Sequence, residues 1–194
     1  YCIIDRIYWY TGYIILWKTK MSVKIICDSI CNNIRLTSME VTMPRIVLAE
    51  FNTHRMFSRN SASSRAIPIE KMIKSIEENP FIPTMRYANE KGGMKPGDFM
   101  TDIASGSDLD ICLDAWNCAK QQCLESAQTL SNNNCAKEIA NRLLEPFNPN
   151  HTVIVTATDW ENFFNLRTDS NAQLEIRVLA TAMKELYYSS EPEE

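Results

Sequence analysis

Histidine is nearly absent: the chain of 194 residues has two, His54 and His151. A metal centre built on several imidazoles is excluded, no metal ligand set is expected, and zinc finds few ligands. Glycine is scarce too, five residues in all, and neither a Rossmann nor a P-loop fingerprint is present. Neither sign of charge dominates. A net charge of -4 and a pI near 5.3 give no general pull toward nucleic acid or anionic membranes. An anionic ligand must then be held by a local basic cluster. No apolar run reaches the roughly 20 residues of a membrane span; the stretch Ile7 to Trp17 is too short and lacks a signal-peptide cleavage site. No membrane or nucleic-acid partner is expected. Cysteine is more plentiful, but seven is an odd number without paired metal-ligand spacing. Cys112, Cys123 and Cys135 fall where an amphipathic helix is apolar, so they read as small buried hydrophobes. That usage suits a reducing cytoplasm, the location expected for the chain.

At 45% hydrophobic residues, the chain can bury one core. No repeat or Ser/Gly-rich linker divides it, and a single domain over residues 21–194 is expected. Residues 1–20 differ, being aromatic and apolar, and read as an upstream extension ahead of Met21. Val23 to Asp28 and Thr37 to Met43 predict strands, one a short apolar run and the other alternating. Pro44 to Arg55 has helical spacing behind an opening proline, and Pro68 opens a second helix, Ile69 to Glu78. From Pro80 to Gly106 the chain is rich in Pro, Gly and charge, a loop long enough to be functional or mobile. Asp108 to Leu130 predicts a long helix with Cys112, Trp116, Ala119, Cys123 and Leu130 on one stripe. A shorter helix is expected over Cys135 to Leu144, a strand over Thr152 to Thr158, and a helix capped by Asp159 that runs to Arg167. Asn171 to Tyr187 is the last helix. Few strands and longer helices without βαβ alternation make an α+β pattern.

The most informative segment is Thr53-His54-Arg55-Met56-Phe57-Ser58-Arg59-Asn60-Ser61-Ala62-Ser63-Ser64-Arg65. Hydroxyls, backbone amides and guanidinium forks are the groups that hold phosphate oxygens, arginine bidentately. Composition alone also allows a solvated polar loop. A second segment, Thr156 to Arg167, places an arginine at a helix C-terminus, where the bland role is to face the negative end of the dipole. Phe163 and Phe164 read as core. A third patch, Lys137, Glu138, Asn141 and Arg142, fits an ordinary amphipathic helix face.

Together these segments resemble the flavin-dependent thymidylate synthases of the ThyX type. His54, Arg55 and Ser63 keep the spacing of that family's arginine-histidine-arginine signature, and Asn60 and Arg65 also fall on its pattern. Arg167 with Asp169-Ser170-Asn171-Ala172-Gln173 is similar to the second signature, and Asn141-Arg142-Leu143-Leu144-Glu145-Pro146 to a third. The similarity runs from about Val23 to Tyr187, in a compact bacterial and phage branch with threonine-histidine-arginine at this place. The resemblance implies a ThyX-like mixed sheet with packed helices and a homotetramer whose active sites are shared between subunits. It implies FAD as cofactor, with NADPH and methylenetetrahydrofolate as co-substrates, in methylation of dUMP to dTMP. Carried over by position, Glu50, Thr53, Ser61, Ser63, Ser64, Arg65 and Arg142 would contact dUMP. Thr53, His54, Arg55, Ser61, Thr156, Thr158 and Asn162 would contact FAD, and Arg167 would be catalytic.

The residue types suit that chemistry, because a fixed cation beside uracil favours electron density on the ring and a bound flavin carries the hard step. No cysteine nucleophile is required. The chain departs from the commoner pattern with Thr53 for arginine, Ser61 for glutamate, Glu50 for glutamine and Glu40 for histidine, and without an arginine in Thr156 to Thr158. An inactive nucleotide- or flavin-binding member of the fold is the alternative. A helical interaction domain built on Asp108 to Leu130 would leave the arginine-serine cluster unexplained.

Overall fold

The computed structural model of the chain describes residues 21–63, 66–86 and 104–194 in full, and 2–3, 9–10 and 13–14 by their backbone. Three two-residue strands come first: β1 (Cys2–Ile3), β2 (Trp9–Tyr10) and β3 (Tyr13–Ile14). β1 pairs antiparallel with Ser22 and Val23 at the edge of the main sheet, and β2 pairs with β3. Other residues of the expected extension, and 87–103 of the expected loop, lie outside the described residues.

β4 (Ser22–Cys31) and β5 (Ile34–Met43) form a hairpin longer than the two expected strands. Its turn is Asn32-Asn33, both with positive φ (50 and 63). A two-residue turn of this hand matches the twist of the strands it joins, and asparagine tolerates the left-handed region. A bulge between Ile25 and Cys27 interrupts the ladder once.

Beyond Pro44 come a 3₁₀ turn, Arg45–Val47, and α1 (Leu48–Phe51). The helix expected through Arg55 therefore ends four residues early. Arg59 supplies the reason: its Nη1 donates to the carbonyls of Phe51, Asn52 and His54 at 3.4, 3.1 and 2.9 Å. Helix-end carbonyls are left without intrahelical donors, and a cation satisfies them well. The released chain turns into β6 (Ser58–Ser61), a strand for which its polar composition carries no signal.

α2 (Ile69–Glu78) occupies the expected residues. α3 (Gly106–Asn132) ends in a Schellman motif, with Asn134 at φ 57 and N–H bonds from Cys135 to the Leu130 carbonyl and from Asn134 to that of Ser131. α4 (Lys137–Leu144), β7 (His151–Ala157), α5 (Glu161–Arg167) and α6 (Leu174–Ser189) complete the chain. Asp159 accepts the Glu161 N–H at 2.9 Å and so caps the start of α5 as expected.

The main sheet is antiparallel in the order β1-β4-β5-β7-β6. Its inner face, with Val23, Met39, Val41, Val153 and Val155, packs on Phe51, Phe163, Phe164, Ile176, Leu179 and Met183 from α1, α5 and α6. A second cluster joins α2, α3 and α4 through Met72, Ile76, Leu124, Ala127, Ala140 and Leu144. This is a single α+β domain. α3 meets that cluster from Trp116 onward, which corrects the expectation for cysteine: Cys112 is exposed, and Cys123 and Cys135 are half-buried. Ala119, on the same expected stripe, is also exposed. Among the described residues no helix is long and apolar enough to cross a membrane.

One ion pair fastens the C-terminus to the hairpin. Arg35 donates from Nε and Nη2 to the two carboxylate oxygens of Asp28 at 2.8 and 2.6 Å, and from Nη2 to the carbonyls of Tyr187 and Ser190. Its guanidinium lies 4.0 Å from the Tyr187 ring centre. Thr37 and Ser190 hydroxyls donate to the same carboxylate, and the Arg35 bonds hold the Asp28 pKa down at about 2 against burial. Breaking such a pair strands a desolvated charge, so Arg35→Ala should cost about 3 kcal/mol in a urea unfolding curve. Because the folded pKa is depressed, the Asp28 contribution is present above the ordinary carboxylate value and is lost as pH falls from about 4 toward 2. The variant's stability should accordingly be flatter with pH in that window than the parent's.

Candidate active site

Phe163 and Phe164 are locked in the core, which fixes the roll of α5 and turns its last residue, Arg167, toward the segment after α1. There Arg167 donates from Nε to His54 Nε2 at 2.8 Å and from Nη2 to the Thr53 hydroxyl at 3.2 Å, while Nη1 is bound to the Glu50 carboxylate. Thr53 in turn donates its hydroxyl to the Glu50 carbonyl at 2.7 Å. All three contacts go to the α1 segment, so a dipole role at the end of α5 does not by itself account for this side chain.

His54 is buried (8% exposed), with Phe163 edge-on at 4.8 Å and Phe57 stacked at 5.8 Å between ring centres. Burial, then the charges of Arg167 and Arg59, lower its pKa to about 4. The imidazole is therefore neutral at pH 7, with Nε2 as acceptor for Arg167 and the proton on Nδ1. Arg167 is thus a cation aimed by one carboxylate, one hydroxyl and one neutral ring.

A second polar region opens where β6, α4 and the start of β7 meet. It is a cavity of about 240 Å³ whose lining includes Ser61, Ser63, Arg142, Arg45, Asn148 and His151. Arg45 pairs with Glu145 at 3.2 Å, and its N–H donates to the Asn148 carbonyl at 3.0 Å. Asn141, fully buried, donates from Nδ2 to the Ile67 carbonyl at 3.0 Å. Arg142 is exposed and has no ion-pair partner among the described residues.

The expected site residues thus fall into groups. Glu50, Thr53, His54 and Arg167 converge; Ser61, Ser63 and Arg142 share the cavity; and Ser64 and Arg65 lie outside the described residues. Neither Arg167 nor its three partners line the cavity, although Leu48 of α1 does, so α1 borders both regions. Of the remaining residues, Arg55, Thr158 and Asn162 are exposed, and Thr156 shares a 2.7 Å hydrogen bond with Ser38. The family resemblance gives no individual role to Arg59, which stands within the arginine-serine segment, or to Arg45, Asn148 and His151. The alternation of β7, which turns His151 inward with Val153 and Val155, was the available signal for the last. Arg59 had none, because its acceptors are backbone carbonyls.

A family model described as "Thymidylate synthase complementing protein" matches residues 28–193. No curated protein sequence gives a significant match. Among solved structures the fold is similar to that of a UMP/dUMP methylase, PolB from Streptomyces cacaoi, in two complexes. With 5-Br dUMP the TM-score is 0.61 at 22% identity, covering 80% of this chain and 66% of that one, just under two thirds of its length. With 5-Br UMP the TM-score is 0.67 at 18% identity, covering 88% and 90%.

The neutral His54 has a measurable consequence. In ¹⁵N-imidazole NMR its titration should centre near pH 4, and Arg167→Gln should move it upward toward the ordinary 6.5. With the folded pKa depressed, the His54 contribution to stability is present above pH 6.5 and is lost as pH falls toward 4. A parent titration near 6.5 would remove the basis for a neutral acceptor.

Proposed function

Since the chain belongs to the thymidylate synthase complementing protein family, we propose that it is a flavin-dependent thymidylate synthase. In this proposal it methylates dUMP to dTMP with methylenetetrahydrofolate as carbon donor and NADPH-reduced FAD as hydride donor. The observation that carries the proposal is Arg167, a cation pre-aimed by Glu50, Thr53 and His54 at the C-terminus of α5. The similarly folded methylase that binds 5-Br dUMP and 5-Br UMP supports a uridine nucleotide as substrate.

In the proposed mechanism Ser63, Ser64, Arg65 and Arg142 hold the phosphate of dUMP, with Ser61 beside them. Arg167 then lies against the uracil edge and stabilises negative charge developing on the ring, where a fixed fork needs no reorganisation during reaction. Glu50 keeps that fork oriented, and His54, being neutral, adds no competing charge. The cavity and the Arg167 cluster are separate within one chain, which supports completion of each site across a subunit boundary in a homotetramer. For FAD, exposed Arg55, Thr158 and Asn162 offer a cation and two hydrogen-bonding groups suited to its pyrophosphate and ribose. Thr156 and His54, already bonded within the protein, would shape the wall. When bound, reduced FAD supplies the hydride that completes the methyl group.

The test measures dTMP formation, flavin absorbance and melting temperature for the parent, Arg167→Lys and Arg167→Ala. The parent should purify yellow and form dTMP. Lysine keeps the charge but not the planar fork, so turnover in both variants should fall roughly 100- to 1000-fold, with flavin retained. Near-normal turnover in both variants would defeat the catalytic assignment, and a colourless, inactive parent would favour the nucleotide-binding alternative.

A further inference from the structure

The cavity of Ser61, Ser63 and Arg142 is lined by a buried imidazole with no task in the mechanism above. His151 opens β7 opposite Met43 of β5, is 6% exposed and lines the cavity. Its Nε2 is buried and has no hydrogen-bond partner among the described residues. Several neighbours already have partners: Arg45 pairs with Glu145, Asn141 donates from Nδ2 to the Ile67 carbonyl, though its Oδ1 is in the same situation as His151 Nε2, and Asn148 Oδ1 accepts the Asn150 N–H at 3.1 Å. Leaving a buried ring nitrogen without a hydrogen bond is unfavourable, so an orphan of this kind calls for a ligand or a water to complete it.

The charge around His151 selects what that ligand is. Arg45 neutralises Glu145, and Arg142 adds a cation without a carboxylate partner among the described residues, so the balance favours an anion. Burial first and the Arg45 charge second lower the His151 pKa, while Glu145 opposes them. The ring is neutral at pH 7, and a neutral imidazole can carry its proton on Nε2 and donate it in a hydrogen bond. Such a donor adds a directed contact to an anion without adding another buried charge.

We propose that His151 is a further substrate-binding residue, whose Nε2–H donates to a phosphate oxygen of the nucleoside monophosphate held by Ser63 and Arg142. The inference rests on the functional proposal, which puts dUMP phosphate in this cavity, and adds to it a contact on the core side.

With two histidines in the chain, ¹⁵N-imidazole NMR of the full-length protein resolves the question, the His151 signals being identified by their loss in His151→Gln. The protein is titrated with dUMP, deoxyuridine and inorganic phosphate, and binding is followed in parallel by calorimetry. Expected are a shift of the His151 Nε2 signal and slower exchange of its proton with dUMP, a weaker response with phosphate, and none with deoxyuridine. His151→Leu should weaken dUMP about tenfold, the scale of one lost hydrogen bond, and leave deoxyuridine affinity unchanged. Glutamine, which retains a donor, should recover part of the loss. If dUMP binds the parent while the His151 signals stay still, the buried nitrogen is served by water and the inference is overturned. Equal responses to dUMP and deoxyuridine overturn the phosphate contact as well. A parent that binds no dUMP at all defeats the functional proposal itself, an outcome distinct from a silent His151 in a protein that binds.

Discussion

Three donor contacts of one guanidinium join α5 to α1 and the segment that follows it, and the chemistry proposed for the chain depends on that junction. A partly desolvated arginine is costly unless its fork is filled. Here Glu50 supplies the counter-charge, Thr53 a hydroxyl and His54 a ring nitrogen. The last of these works because His54 is neutral: packed between Phe57 and Phe163, it cannot easily take a proton beside Arg167 and Arg59. The aromatic core thus settles the protonation state of a site residue, and that state lets a cation sit beside an imidazole without repulsion. A donor held in advance is the kind of group that can favour charge developing on a ring.

The junction exists because α1 is short. Arg59 gathers the carbonyls of Phe51, Asn52 and His54, and the chain leaves the helix, turns, and joins the sheet as β6 beside β7. The same turn that presents Glu50, Thr53 and His54 to Arg167 carries Ser61 and Ser63 to the cavity next to α4. Two polar regions are therefore set by one backbone event, and a longer helix would have displaced both.

The two hydrophobic clusters divide the labour. The first, between the sheet and α1, α5 and α6, fixes the Arg167 region; the second, among α2, α3 and α4, supports the wall of the cavity. On the outer sheet face, hydroxyl pairs Ser38–Thr156 and Thr42–Thr152 run beside exposed Leu36 and Ile154. In the homotetramer proposed above, that mixed face is available for contact between subunits.

Short-range pattern made much of this legible. α2 follows from Pro68 and its apolar spacing, the cap of α5 from Asp159, and β5 and β7 from alternation, because each rests on bonds and side-chain directions within a few residues. The motif residues were legible as types and spacings as well, with Thr53, His54 and Arg167 among them. The structure alone decided that Arg167 reaches His54 across 113 positions of sequence, that Arg59 ends α1, and that His151 and Arg45 face the same cavity as Ser63. It also decided that Cys112 is exposed, since α3 joins the second cluster only from Trp116 onward. These outcomes depend on which distant groups meet after the core closes: local periodicity sets where a side chain points, and the packing of remote segments sets what it finds there.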